Sequence, residues 1–126
     1  MTTVLIVDDH ASFRAQARAV LEAAGFVVVG DAVDGCSAIA LAAELEPETV
    51  LLDIGLPDID GFEVAGRLAA AQPGIAVVLT SSREANDYGP RLNACPAAGF
   101  LPKDQLSGSA LAALLAAASP APGNRQ

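Results

Sequence analysis

Carboxylates end two short apolar runs of this sequence. Asp8 and Asp9 come directly after residues 4–7, and Asp53 directly follows residues 49–52. Taken singly, an aspartate at such a place can also cap a helix or form a turn. Several carboxylates brought together repel one another unless a positive charge lies between them, and Mg²⁺ supplies that charge to oxygen ligands. The pattern therefore predicts a Mg²⁺ site, provided that both runs end at the same edge of a sheet.

A hydroxyl and an ammonium follow two later apolar runs in the same manner. Thr80 comes directly after residues 75–79, and Lys103 stands shortly after residues 99–101. Lys103 is the only lysine of the chain, and the other six Lys/Arg positions are all arginine. Its use here indicates that this position requires a compact, flexible point charge rather than a guanidinium. An ammonium and a hydroxyl can hold phosphoryl oxygens while a carboxylate attacks phosphorus. These residue types therefore predict phosphoryl transfer to an aspartate.

The elements that must position these residues alternate regularly along the chain. Short runs of β-branched residues alternate with alanine-rich stretches whose apolar residues have helical spacing. This pattern predicts an α/β fold with parallel strands joined by right-handed crossovers. In such open sheets, chemistry lies at the carboxyl ends of the strands. Strands are predicted at residues 4–7, 26–29, 49–52, 75–79 and 99–101, and helices at residues 11–24, 34–45, 62–71 and 107–118. Gly25 is the predicted end of the first helix, and Asp9 is a candidate cap at its start. Residues 83–99 contain Gly89-Pro90 and Pro96, so no full-length helix is predicted there.

Composition excludes several classes of protein. A chain of 126 residues that is 52% hydrophobic and 17% charged forms one folded domain rather than a disordered segment. Its net charge of −8 repels phosphate backbones and anionic membranes, so direct binding of nucleic acid or membrane is not expected. Cys36 and Cys95 lack C-x-x-C spacing, which argues against a disulfide scaffold or a zinc site. Residues 110–118 form the longest apolar stretch, too short for a membrane span, and a cytoplasmic protein is expected.

Four motifs together resemble the receiver domains of two-component response regulators. They are Val-Leu-Ile-Val-Asp-Asp-His at residues 4–10, the acidic glycine- and proline-containing loop of residues 53–61, Val-Leu-Thr-Ser at 78–81, and Gly-Phe-Leu-Pro-Lys at 99–103. The resemblance covers roughly residues 3–118. It implies a doubly wound, flavodoxin-like fold whose five-stranded parallel sheet has the order 2-1-3-4-5.

The resemblance also implies roles for the acidic residues. Asp53 would be the phosphoacceptor and would take the phosphoryl group from a histidine kinase as an acyl phosphate. Asp9 would bind Mg²⁺ directly, Asp8 directly or through water, and Asp53 would contribute to the same site. Gly55 would offer its backbone carbonyl to the metal.

Three further roles follow from the resemblance. Thr80 and Lys103 would hold the phosphoryl oxygens, and Phe100 would occupy the aromatic switch position. Many family members have proline directly after the lysine, whereas here Pro102 precedes it and Asp104 follows it. The loop after the fifth strand is therefore expected to depart from the family's usual geometry.

The resulting expectation is a phosphorylatable switch that acts by binding partners. Its partners would be a sensor histidine kinase and an unknown downstream protein, and two copies would pair on phosphorylation. Catalysis would be limited to its own phosphorylation and dephosphorylation, so the protein is not expected to be an enzyme. A Mg²⁺-dependent phosphohydrolase with an aspartyl nucleophile is the weaker alternative, because that class usually has an acid where Gly55 stands.

A second alternative is the N-terminal receiver half of a DNA-binding transcriptional regulator. An output domain would add on the order of 50 residues or more, and only eight residues follow Ala118. A stand-alone receiver is therefore expected, with residues 119–126 as a flexible tail.

Overall fold

A computed structural model of the protein describes residues 2–82 and 96–118 and shows one five-stranded sheet. The strands are β1 (Thr3–Val7), β2 (Val27–Ala32), β3 (Thr49–Asp53), β4 (Ala76–Ser81) and β5 (Gly99–Pro102). The helices are α1 (Ala11–Ala23), α2 (Gly35–Leu45), α3 (Gly61–Ala71) and, after a 3₁₀ turn at Lys103–Gln105, α4 (Gly108–Ala118). Every neighbouring pair of strands is parallel, and their order is β2-β1-β3-β4-β5. The predicted doubly wound fold and its strand order are thereby confirmed.

Helices cover both faces of the sheet. In β1, Leu5 and Val7 belong to the core that the sheet forms with α2 and α3. Val4 and Ile6 belong to a second core, which includes buried residues of α1 and α4. Because both faces are covered, the central strands consist of continuous apolar runs, as the sequence shows. Alternation along each strand also decides which face its terminal side chain joins.

Element boundaries differ from the sequence-based prediction mainly at the edge of the sheet. The second strand was expected at residues 26–29, but β2 extends to Ala32 through Gly30 and Asp31. Since β2 pairs only with β1, an edge position tolerates these residues, which the apolar pattern does not include. Gly25 ends α1 with a positive φ of 97°, as predicted.

The start of α1 corrects a second expectation. His10, not Asp9, is the residue that precedes the first helical turn, and its side chain forms no capping hydrogen bond. After β5 the chain enters a 3₁₀ turn, and all described peptide bonds are trans. The predictions for residues 83–95 and 119–126 fall outside the described residues. None of the helices in residues 2–82 and 96–118 combines the length and apolar character that a membrane span requires.

Candidate functional site

Three strand ends place polar side chains next to one another. Asp53 is the last residue of β3 and pairs in register with Thr80 of β4. Asp8 directly follows β1, where its amide donates a hydrogen bond to the Ala32 carbonyl at 3.1 Å. By strand alternation all three side chains leave the sheet on the side of α1. The sheet therefore gathers two carboxylates and a hydroxyl at one edge, as the sequence predicted.

Lys103 completes this group from the turn that follows β5. Its Nζ lies 2.6 Å from Asp8 Oδ2 and 3.6 Å from Asp53 Oδ2. The ammonium also lies over the Phe13 ring of α1, 4.7 Å from its centroid. A cation on an aromatic face is attracted by the ring quadrupole, so Phe13 stabilises the lysine over the acids. The ammonium is thus held within reach of both carboxylates.

The electrostatics of Asp53 are those of a carboxylate that lacks sufficient positive charge. Its side chain is 7% exposed, and that of Asp8 is fully buried. Burial, followed by the neighbouring Asp8 carboxylate, raises the pKa of Asp53, while Lys103 and the Gly55 amide act in the opposite direction. One ammonium therefore does not fully compensate the acids, and a further cation would stabilise their charged forms.

Asp9 and His10 border the same group from its solvent side. The Asp9 side chain is 34% exposed, and His10 Nδ1 lies 3.1 Å from Asp9 Oδ1. The same nitrogen lies 3.1 Å from Asp8 Oδ1. One potential ligand atom from each of Asp8, Asp9, His10 and Asp53 lies within 4.8 Å of all the others. The cluster is thus compact enough to share one metal ion.

The residues present fit a hard divalent cation. Carboxylate oxygens are the ligands that Mg²⁺ prefers. Thr80 Oγ1 is buried and forms no hydrogen bond with the residues that the structure describes. A buried hydroxyl without a partner in the protein is uncommon, and a bound ligand at this edge would satisfy it. Both the donor set and the Thr80 hydroxyl therefore suit a site for a metal and an anion.

The other two predicted site residues, Gly55 and Phe100, contribute no polar side chain to this group. The Gly55 amide donates to Asp53 Oδ1 at 3.3 Å, and the metal contact predicted for the Gly55 carbonyl stays a prediction. Phe100 is half-buried and packs against the core beneath α2 and α3. In β5 it is in register with Leu79, so it lies on the opposite face from Thr80.

Comparison with known proteins decides which family has this arrangement. The model of the response regulator receiver domain matches residues 4–115. This chain belongs to that family. It is a receiver domain of two-component systems, as the four sequence motifs indicated, and the family implies a histidine kinase as partner. Phosphoaspartate and Mg²⁺ are typical of the family.

Relatives of this receiver domain include named response regulators. Response regulator GacA of Pseudomonas aeruginosa is 38% identical over 104 residues, which are 82% of this chain and 49% of GacA. The transcription regulator BvgA of Bordetella pertussis is 35% identical over 102 residues, or 81% of this chain and 49% of BvgA. The chain thus spans about half the length of these curated relatives, and the stand-alone arrangement stays a prediction.

Solved structures share the fold over nearly the whole chain. The receiver domain of the response regulator NarL from Mycobacterium tuberculosis is 32% identical, with a TM-score of 0.83 over 93% of this chain and 95% of that one. The response regulator domain of CheB from Thermotoga maritima is 25% identical, with a TM-score of 0.82 over 95% of this chain and 99% of that one.

The loop that follows Asp53 in this receiver domain is held by contacts that the sequence did not reveal. Asp58 accepts hydrogen bonds from the Gly35 amide at 2.7 Å and the Cys36 amide at 3.0 Å, at the start of α2. A Cβ atom at Gly61 would lie 2.6 Å from Ile54 Cα, so only glycine allows α3 to begin this close to β3. Asp58 and Gly61 were predicted only as part of a loop, because nothing local shows which amides an aspartate will meet.

Arg14 is a second residue that sequence analysis missed. It lies on α1, and its Nη1 donates to the Asp8 carbonyl at 2.7 Å. Its Nε lies 3.6 Å from Asp31 Oδ2 of β2. Arg14 thereby ties α1 to the ends of two strands and fixes the backbone that carries the acids. Its spacing of six residues from Asp8, on the first turns of the next helix, was the available signal.

Proposed function

We propose that Asp53 accepts a phosphoryl group from a histidine kinase, with Mg²⁺ bound by Asp8, Asp9, Asp53 and the Gly55 carbonyl. One observation carries the proposal most strongly. Asp53 is a nearly buried carboxylate with an ammonium 3.6 Å away and an in-register hydroxyl that forms no hydrogen bond with described residues. Such a group supplies a nucleophile together with donors for the oxygens of an incoming phosphoryl group.

The chemistry follows from these positions. An Asp53 carboxylate oxygen forms a bond to phosphorus, and the bond from phosphorus to the kinase imidazole nitrogen breaks. The electron pair of that bond leaves with the imidazole, and the product on Asp53 is an acyl phosphate. Lys103 and Thr80 donate hydrogen bonds to the phosphoryl oxygens. These oxygens carry more negative charge than the Asp53 carboxylate did before the transfer. Bound Mg²⁺ would neutralise part of that charge.

Phosphorylation would switch partner binding through Thr80 and Phe100. An acyl phosphate on Asp53 gives the Thr80 hydroxyl an acceptor, so the end of β4 moves toward the site. Phe100 lies half-buried on the opposite face, next to Leu79, and would turn into the space that this movement opens. Full burial of an exposed side chain of this kind contributes about 1.5–3 kcal/mol, and the fraction that half-buried Phe100 has left to gain biases a two-state element whose gap is small. The response predicted across residues 82–99 falls mostly outside the described residues.

A cytoplasmic signalling switch of this kind catalyses only its own phosphorylation and dephosphorylation and acts on a downstream protein. The family's relatives favour a second candidate, the receiver half of a transcriptional regulator, because GacA and BvgA are about twice as long as the matched region. DNA would then be bound by another domain, since a net charge of −8 makes this one repel phosphates. Pairing of two copies on phosphorylation would serve either candidate.

Acetyl phosphate tests the central step without a kinase. Incubated with Mg²⁺ and this small phosphodonor, the protein should gain one phosphoryl group by intact mass. We expect Asp53→Asn to abolish that gain and Asp60→Asn, the same change at a helix cap, to retain it. Phosphorylation that persists on Ser81 or Ser82 in Asp53→Asn would contradict the assignment.

A further inference from the structure

His10 stands at a helix start without acting as a helix cap. It precedes α1 with extended backbone angles, φ −98° and ψ 113°, and its side chain bonds no amide of the first turn. Its own amide donates instead to Asp8 Oδ1 at 2.8 Å. The imidazole turns toward the acids, so that Nδ1 lies 3.1 Å from both Asp8 Oδ1 and Asp9 Oδ1. The side chain is thus used at the acid cluster rather than at the helix.

The spacing of these atoms matches that of ligands around one ion. Metal–ligand bonds of about 2.1 Å in an octahedron separate neighbouring ligand atoms by about 3 Å and opposite ones by about 4.2 Å. The two 3.1 Å separations of His10 Nδ1 are those of neighbouring ligands. The four groups lie within 4.8 Å of one another, slightly more than the separation of opposite ligands, so a small shift of the exposed side chains would bring all four to one ion. The nitrogen therefore lies at a ligand position relative to the acids.

An imidazole changes which metals such a site prefers. Carboxylates suit Mg²⁺ and Mn²⁺, whereas imidazole suits Ni²⁺, Zn²⁺, Cu²⁺ and iron. We propose that His10 Nδ1 is a direct metal ligand beside Asp8, Asp9 and Asp53, and that it raises the affinity of the site for first-row transition-metal ions such as Ni²⁺ more than its affinity for Mg²⁺. The inference rests on the proposed function in that the three acids bind a divalent cation, and it adds a ligand and a class of metal.

A role in orienting the acids would give the same short contacts but different metal preferences. As a hydrogen-bond donor, His10 Nδ1–H would position the Asp8 and Asp9 carboxylates. Its loss would then weaken the binding of all divalent ions alike. As a ligand, neutral His10 offers the Nδ1 lone pair and carries its proton on Nε2. Its loss then weakens nitrogen-preferring ions most. The ratio of two metal affinities separates these roles.

Titration of the untagged chain with Mg²⁺, Mn²⁺ and Ni²⁺ at one fixed pH measures that ratio. Loss of even an outer-shell partner typically costs about 10–100-fold in metal affinity, so loss of a direct ligand in His10→Ala should raise the Ni²⁺ Kd at least about tenfold. The Mg²⁺ Kd should rise far less. His10→Asn keeps a hydrogen-bond donor but no nitrogen lone pair and should lower the preference for Ni²⁺ as His10→Ala does. Asp60→Ala, outside the cluster, is the matched control and should leave the ratio unchanged.

A spectroscopic signature identifies the ligand directly. His10 is the only histidine of the chain, so ¹⁵N-labelled histidine marks one imidazole. Pulsed EPR of the Mn²⁺-bound protein should show coupling between the metal and directly bonded nitrogen, and His10→Ala should remove it. Mn²⁺ suits this measurement better than Zn²⁺, because Cys36 is an exposed free thiol that could bind zinc elsewhere.

The outcomes separate this inference from the function on which it rests. One outcome is that Mn²⁺ binds, that Asp9→Ala weakens its binding, and that no coupling to histidine nitrogen is seen. This result would overturn the role of His10 and leave the acid site intact. Equal weakening of all three ions in His10→Ala would overturn it in the same way. Absence of any Mg²⁺ or Mn²⁺ binding to the wild-type chain would overturn both proposals.

Discussion

Two groups of aspartates lie at the same end of this receiver domain and differ in what surrounds them. The capping acids, Asp34, Asp58 and Asp60, accept hydrogen bonds from amides at the starts of helices. The binding acids, Asp8, Asp9 and Asp53, converge on one another, and Lys103 lies close to two of them. The capping acids complete helices, whereas the binding acids are left able to hold a ligand.

Asp53 and Asp58 show what this difference does to a carboxylate. They lie five positions apart in one segment of the chain. Backbone amides of Gly35 and Cys36 hold the pKa of Asp58 far below its usual range. Burial and the neighbouring Asp8 raise the pKa of Asp53. The same residue type thus serves structure or chemistry according to whether amide donors or other acids surround it.

Metal affinity should separate the two groups most sharply. We expect Asp9→Ala to raise the Mg²⁺ Kd at least about tenfold, because a hard cation loses an oxygen ligand. Asp60→Ala makes the same change at the cap of α3 and should leave the Mg²⁺ Kd unchanged, while it costs about 1 kcal/mol of stability. Calorimetric titration measures both affinities. Equal affinity in wild type and Asp9→Ala would remove Asp9 from the binding acids.

Stability without divalent metal should change in opposite directions in the two groups. At neutral pH we expect Asp53→Asn to raise Tm by a few degrees, because it removes one of two adjacent buried charges while Lys103 keeps its contact with Asp8. Asp58→Asn should lower Tm, because a side-chain amide offers one acceptor oxygen to the three backbone amides, of Gly35, Cys36 and Ile59, that now donate to Asp58. Thermal melts in chelator test both, and a lower Tm for Asp53→Asn would contradict the electrostatic account of the site.

As the pH is lowered, the differences in Tm between wild type and the Asp53→Asn and Asp58→Asn variants should disappear in a fixed order. The folded pKa of Asp53 is raised above its ordinary value, so its penalty is present at neutral pH and is relieved as the pH falls through the raised pKa. The folded pKa of Asp58 is depressed, so its contribution persists down to the usual range and is lost only as the pH falls toward that lower value. Melts of both variants and wild type between neutral and acid pH should show the Asp53→Asn advantage vanish first. The reverse order would break the comparison.

Exposed acids on helix surfaces should have the smallest effect. Glu63 pairs with Arg67 at 3.0 Å, one turn along α3, and both side chains are more than half exposed. Because solvent screens such pairs, Glu63→Gln should cost no more than about 0.5 kcal/mol. The Mg²⁺ Kd should not change. Urea unfolding measures the free energy of unfolding. A loss above about 1 kcal/mol would contradict the expectation that solvent screens this ion pair.

Sequence patterns predicted the central strands and the binding acids for the same physical reason. A strand covered on both faces is a continuous apolar run, so its end is visible where Val7 gives way to Asp8 or Leu52 to Asp53. The edge strand β2 lacks that signal, because Gly30 and Asp31 interrupt its pattern, and its end was placed too early.

Tertiary contacts explain what the sequence could not show. Asp58 meets the Gly35 amide across 23 positions, and no local pattern specifies that pairing. The sequence singled out Asp53 because it ends an apolar run, but nothing in it showed that Asp58 would bind amides at the start of another helix. His10 stands beside the predicted metal ligands, but the direction of its ring depends on the backbone at the start of α1.

Chemical trapping of the phosphorylated residue tests the distinction between the two groups most directly. The wild-type chain is treated with Mg²⁺ and acetyl phosphate, the acyl phosphate is reduced with borohydride, and the modified residue is located by peptide mass spectrometry. The account predicts reduction at Asp53 alone, although Asp58 and Asp60 lie in the same loop and are more exposed. Reduction at Asp58 or Asp60, or none at Asp53, would contradict it.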